Sequence, residues 1–219
     1  AARLRVLIAY LVLVSAATLF IAFSLGQVGT IGAGLYYLAH STFVTAALFL
    51  VADLIRRRRG LASDRKEIIA PMPGKTGPSL LFLVAAISVA GLPPLSGFLA
   101  KAALLSAIPA ANTAWVWSVV LLSSLMVIVG LSRAGVRLFW RVPAAVEAGD
   151  AVALPPPLRK APSRPLETAA AVLLILYGIG MTVAAAPMMR YTEAAAAQLL
   201  DSASYVGELR ATPSRSRAP

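Results

Sequence analysis

The sequence predicts an all-α, polytopic membrane helix bundle of about five transmembrane helices, one of them discontinuous at residues 91–97. Three observations carry that prediction. The chain has 219 residues, 59% hydrophobic and only 13% charged, with a mean hydropathy of +0.80. A soluble domain of this size needs far more polar surface. Apolar stretches of about twenty residues or more alternate with short basic segments, which is the pattern of membrane helices. The net charge of +11 is segregated into those segments. In a soluble protein it would suggest nucleic acid; here the arginines flank apolar runs, so topology accounts for them and no nucleic-acid partner is expected.

The first span reads as residues 6–25, closed by a tight turn at Gly26 and Gln27. Its length and the apolar segment that follows at once argue against a signal peptide and for a chain that begins inside a longer protein. The second span, 28–54, stops at Arg56-Arg57-Arg58-Arg59, and a polar loop over 55–78 carries the breakers Pro71, Pro73, Gly74, Gly77 and Pro78. The third stretch, 79–108, is too long for one upright helix. About thirty helical residues reach ~45 Å, against a hydrocarbon core of ~30 Å. It is interrupted by Gly91-Leu92-Pro93-Pro94-Leu95-Ser96-Gly97. A fourth span covers 113–131, with a helical extension to Trp140. A basic, proline-rich loop at 141–167 includes Pro155-Pro156-Pro157, and the fifth span covers 168–188. The expected organisation is a transmembrane domain over 1–190 and a short polar tail, partly helical, over 191–219.

Five alternating spans place fifteen basic residues on one side: Arg3, Arg5, the four arginines at 56–59, Arg65, Lys66, Lys75, Arg133, Arg137, Arg141, Arg159, Lys160 and Arg164. The other side receives four: Arg190, Arg210, Arg215 and Arg217. That imbalance predicts a cytoplasmic N-terminus and a C-terminus on the outside. The arginines at 56–59 act as a topology anchor, with anionic lipid as the expected contact.

Lys101 is the one basic residue inside a span. An ammonium in hydrocarbon is costly, so it gives up its proton or finds water and partners. A lysine able to do so is what a proton relay needs. The plainer reading is a lysine that snorkels to a helix end. The break beside it favours function. Pro93 and Pro94 lack amide donors, and Gly91 and Gly97 loosen the backbone. Freed carbonyls at membrane depth are tolerated where they are buried or line a wet cavity, as in the ion sites of discontinuous transporter helices. A simple proline kink is the alternative.

His40, the only histidine, sits near the middle of the second span, and imidazole passes protons in either direction near neutral pH. Ser41, Thr42, Thr45, Tyr36 and Tyr37 are near it in sequence and could orient the ring or hold water; a histidine bonded across a helix interface is the plainer reading. Asp53 is expected to pair with Arg56 or Arg57 at the span's end, with proton entry as a weaker role. No span holds a central carboxylate, which suggests that part of the machinery lies elsewhere.

There is no cysteine and one histidine, so neither a thiolate nor a His-rich metal site is expected. No nucleophile–base set or phosphate loop appears in the loops, so a soluble enzyme is not expected and no cofactor is implied.

The stretch Gly91-Leu92-Pro93-Pro94-Leu95-Ser96-Gly97-Phe98-Leu99-Ala100-Lys101 resembles the broken-helix signature of antiporter-like subunits. These are the proton-channelling membrane subunits of respiratory complex I and of multisubunit Mrp-type (Pha, Mnh) sodium/proton antiporters. Residues 35–50 around His40, and Ser132-Arg133-Ala134-Gly135-Val136-Arg137-Leu138-Phe139-Trp140, are similar to the D-subunit branch of the Mrp family. The likeness extends to about Tyr205. It implies that Lys101 is the terminal proton-carrying lysine and His40 the relay histidine. The upstream lysine of many relatives falls at Arg5, and arginine hardly deprotonates, so Arg5 would polarise the path without releasing a proton. Arg5, Asp53, Ser41 and Thr45 are thus expected to modulate the pathway.

Family members carry a further broken helix, with a lysine and a glutamate, in an N-terminal half. This chain therefore resembles a C-terminal portion. The resemblance implies a secondary-transporter subunit, not an enzyme, in the multi-pass setting of a bacterial inner membrane. Its partners would be other antiporter subunits, with protons and Na+ or K+ as the ions moved. A complex I-type pumping subunit would share Lys101 and His40. A structural scaffold would use the same residues only for packing and would tolerate Lys101→Leu.

Overall fold

The computed structural model describes residues 3–59, 74–140, 165–201 and 206–207. Most of the expected basic loops lie outside these residues, including Arg65, Lys66, Arg141, Arg159, Lys160, Arg164 and the triple proline, as do Arg210, Arg215 and Arg217.

Helix α1 (Leu4–Ser24) and helix α2 (Val28–Arg59) form an antiparallel pair. The turn between them uses Gly26 at φ +65°, a left-handed conformation that glycine adopts without a Cβ penalty. Although α1 is apolar all round, it buries one stripe: Leu4, Ile8, Leu11, Ser15, Thr18 and Ala22, spaced three and four apart.

The third apolar stretch divides into two half-helices, α3 (Thr76–Ala90) and α4 (Ser96–Ser106). At 15 and 11 residues, neither reaches the about 20 residues a crossing needs. A 3-10 turn at Ala110–Asn112 leads into α5 (Thr113–Gly135), which closes in a π-helical turn at Val136–Trp140. Helix α6 (Pro165–Val183) starts on proline, whose missing N–H costs nothing at a first helical position. Helix α7 (Ala185–Leu200) continues it after a kink. Pro187 cannot donate back to Val183, but Ala184 N–H still reaches Gly180 O at 2.8 Å and Met188 N–H reaches Ala184 O at 3.1 Å.

Helix α2 is the spine of the bundle and packs against α1, α3, α4, α6 and α7. Close approach is possible because its first half carries small residues. A Cβ at Gly32 would lie 2.9 Å from Glu193 Cγ, and one at Gly34 would lie 2.9 Å from Ala22 Cβ. Together α6 and α7 run antiparallel along α2. Arg57 faces Glu167 at 3.5 Å, Phe43 meets Tyr177 at 4.2 Å between ring centroids, and Tyr36 donates to Met181 O at 2.9 Å.

Among the described residues, helices α1, α2, the run Ala110–Trp140 and α6 are each long and apolar enough to cross a membrane, and α3 and α4 are shorter apolar helices at the expected interruption. The outer surface agrees with that setting. Phe20 is 76% exposed, Met126 63% and Leu173 67%, a lipid-facing arrangement that water would penalise.

The end of the bundle where α2 stops is basic and tightly tied. Asp53 accepts from both Arg56 and Arg57, Arg58 donates to Gly74 O, and Lys75 reaches Phe139 O at 3.3 Å. These contacts gather the ends of α2, α3, α5 and α6. Because the Asp53 cluster is partly exposed, its ion pairs are worth little individually. Asp53→Asn is expected to lower stability by less than ~1 kcal/mol, a small shift in thermal unfolding in detergent.

Candidate functional site

The break between α3 and α4 is built by local chain chemistry. Gly91 closes α3 at φ +78°, and Leu92 N–H bonds back to Ile87 O at 3.1 Å, the paired closure that a left-handed glycine permits. Pro93 and Pro94, joined by a cis peptide, add no donors. Leu95 then precedes the first turn of α4, where Phe98 N–H bonds to Leu95 O at 3.0 Å.

His40, 2% exposed, inserts from α2 against both sides of the break. Its Nδ1 lies 2.9 Å from Ser96 Oγ, the first residue of α4. Its Nε2 faces Gly97, beside the Ser88 carbonyl in the last turn of α3. Gly97 makes this approach possible. A Cβ at that position would collide with Ser88 O and stand 2.8 Å from His40 Nε2.

Lys101 lies one turn after Gly97, on the same face of α4. Its ammonium donates to Ala90 O at 3.0 Å and to Ser124 Oγ of α5 at 2.9 Å. Its stem lies over Gly91, where a Cβ would come within 2.9 Å of Lys101 Cδ. The carbonyl at the end of α3 is thus taken by the lysine, as the freed acceptor at a helix break requires. His40 thus meets the break at Gly97 and Lys101 meets it at Gly91. Imidazole and ammonium therefore flank one helix break, linked to it through carbonyls and hydroxyls that accept and pass hydrogen bonds.

The other candidates stand differently. Ser41 donates to Leu38 O of its own helix at 3.2 Å. Thr45 is buried more than a turn beyond His40, and the ring takes Ser96 instead of either. Arg5 is exposed in the first turn of α1. It precedes Ser15 by ten residues, or ~15 Å of helix, and Ser15 is the level at which α1 meets Tyr37, one turn from His40 (Tyr37 Oη to Ser15 Oγ, 3.3 Å). Asp53 belongs to the basic end. Gly91, Pro93, Pro94 and Gly97 form the break itself. Sequence reasoning missed Ser96 and Ser124 as partners. Ser96 lies inside the glycine- and proline-rich motif, and Ser123-Ser124 is a polar pair within an apolar span, a signal legible without any structure.

Residues 2–127 match the family described as NADH:quinone oxidoreductase/Mrp antiporter, TM. The chain belongs to this family. Two curated relatives point the same way. The probable K(+)/H(+) antiporter D subunit of Rhizobium meliloti (strain 1021) is 33% identical over 220 residues, covering 87% of this chain and 38% of that protein. The Na(+)/H(+) antiporter D subunit of Bacillus subtilis (strain 168) is 33% identical over 183 residues, covering 81% of this chain and 34% of that protein. The chain thus spans between a third and two fifths of the length of these relatives. Among solved structures, a chain of the Mrp complex from Dietzia sp. DQ12-45-1b superposes with a TM-score of 0.79 at 22% identity, over 94% of this chain and 45% of that one. At that identity the match speaks to the fold. The likeness to the Mrp D subunits read from the motifs is borne out by the family and its named relatives.

Proposed function

We propose that this chain contributes a proton-translocating part of the D subunit in a multisubunit Na+(K+)/H+ antiporter. In this reading protons pass between His40 and Lys101 across the α3–α4 break, and cation movement is coupled to them through other subunits. The observation that carries the reading is the pairing of His40 with Ser96, and of Lys101 with Ala90 O and Ser124, on either side of one interruption. Such a pairing gives each group an adjustable hydrogen-bond partner at membrane depth, the arrangement proton pathways use. The family description also covers NADH:quinone oxidoreductase subunits, but the relatives' names favour the antiporter. The chain is then a transporter component and not an enzyme, residues 1–190 form its membrane domain with a polar tail after it, and the basic end of the bundle faces the cytoplasm with anionic lipid against the arginines at 56–59. That orientation leaves the N-terminus inside and the C-terminus outside.

The test is cation-dependent proton flux in everted vesicles that carry the complete assembly. Lys101→Ala, at equal expression and with assembly intact, is expected to reduce flux to the background of vesicles lacking the complex. Unchanged flux would remove Lys101 from the path.

A further inference from the structure

The space between α4 and α5 beside Lys101 is not filled. A cavity of about 430 Å³ opens there, walled by Phe98, Leu105, Trp117, Leu121 and Leu125, with Lys101 and Ser124 together at its wall and Ser106, whose hydroxyl donates to Ala103 O of its own helix, as the other polar side chain. That volume falls within the ~300–1,000 Å³ of small-molecule sites, and apolar walls with a few converging polar groups are their usual composition. Phe98, Trp117, Leu121 and Leu125 are 40 to 53% exposed on the outer face of the bundle. The cavity therefore opens on the outer face of the described helices.

The polar chemistry at its wall is incomplete. An ammonium has three N–H donors. Lys101 uses two, on Ala90 O and Ser124 Oγ, and no carboxylate occurs among the residues that line the cavity. A cation in an apolar setting without a counter-charge is expensive, and an anion presented to it is held by a charge-assisted hydrogen bond.

We infer that this cavity binds a single-chain amphiphile with a carboxylate head, a free fatty acid of the surrounding bilayer, with Lys101 as its counter-ion and the α4–α5 wall as the seat of its chain. One cation and one cavity of about 430 Å³ suit one headgroup and one chain. The acid reaches the cavity from the lipid and places its carboxylate on the third N–H of Lys101. Any regulatory consequence, in which the occupied lysine is withheld from a proton, rests on the proton-path reading above; the binding does not.

The experiment is photolabelling of native membranes containing the protein with a diazirine analogue of palmitic acid, followed by digestion and mapping of the labelled peptides. Label is expected within residues 98–128, and excess palmitate should compete it away, whereas palmityl alcohol and phosphatidylglycerol should not. Lys101→Gln is expected to lower labelling about tenfold or more, the value of a hydrogen bond to a charged group. Leu121→Trp, which fills the cavity and leaves the charge in place, should lower it as well. His40→Ala should label as the unaltered protein does, so failure of the proton-path reading and failure of this site are told apart. Label spread evenly over the outer faces of α5 and α6 would overturn the assignment. So would equal labelling by the acid and alcohol analogues, unchanged labelling in Lys101→Gln, or competition by phosphatidylglycerol as strong as that by palmitate.

Discussion

Replacing Gly97 by valine is expected to unseat α4 and deplete the protein from membranes. The site tolerates no side chain. Even a lone Cβ would overlap Ser88 O and stand 2.8 Å from His40 Nε2. One of those atoms belongs to the backbone of α3, and the other to a ring already fixed by Ser96. Neither is the loose end of a flexible chain, so relief requires moving α4 as a body. That motion would pull Ser96 from His40 and Lys101 from Ala90 O together, because all of them ride on the same first turns. The cost should reach or exceed the ~1–3 kcal/mol usual for overpacking a filled interior. Alanine at the same position should be milder than valine and still measurable as earlier thermal unfolding in detergent. If Gly97→Val accumulates and unfolds like the unaltered protein, the close seating of α4 against α2 and α3 is wrong.

The same residues show how far the sequence could be read. The break was legible because proline and glycine punctuate an otherwise continuous apolar run, and backbone chemistry forces an interruption wherever two amide donors are missing. The helical spans were legible because lipid demands about twenty apolar residues. The neighbours of His40 were not. Ser41 and Thr45 are near it in sequence, but a helix sends successive side chains to different faces, and the ring found its partner 56 positions away in Ser96. When a helix is apolar on every side, periodicity does not mark which face meets a neighbour. The buried stripe of α1, for example, emerges only once α2 is beside it. The kink between α6 and α7 has a visible cause in Pro187, yet whether a proline bends or ends a helix depends on the packing around it. Here α2 lies along both halves. Arg5 shows what a motif leaves out, namely distance. The resemblance placed it at the upstream position of the path, and the pairing of α1 with α2 sets it about ten residues of helix from the level of Tyr37.

Lys101→Arg should separate the two readings of the lysine more sharply than removal does. Arginine keeps a positive charge on nearly the same stem and can still donate to Ala90 O and Ser124 Oγ, so an anchoring or packing role would survive the change. It cannot release a proton under any condition a membrane protein meets. If Lys101 carries protons, flux in vesicles should fall as far in Lys101→Arg as in Lys101→Ala, while assembly stays close to normal. The wider guanidinium must also fit where the lysine stem passes over Gly91, with 2.9 Å between Lys101 Cδ and a Cβ built on that glycine. Some loss of stability is therefore expected in arginine and should be measured beside flux. A lysine that merely fills and neutralises would give the opposite result, with arginine transporting and alanine not. The distinction rests on one physical property, since charge alone can orient a neighbouring water or histidine, but only a group that alternates between two protonation states can hand a proton on.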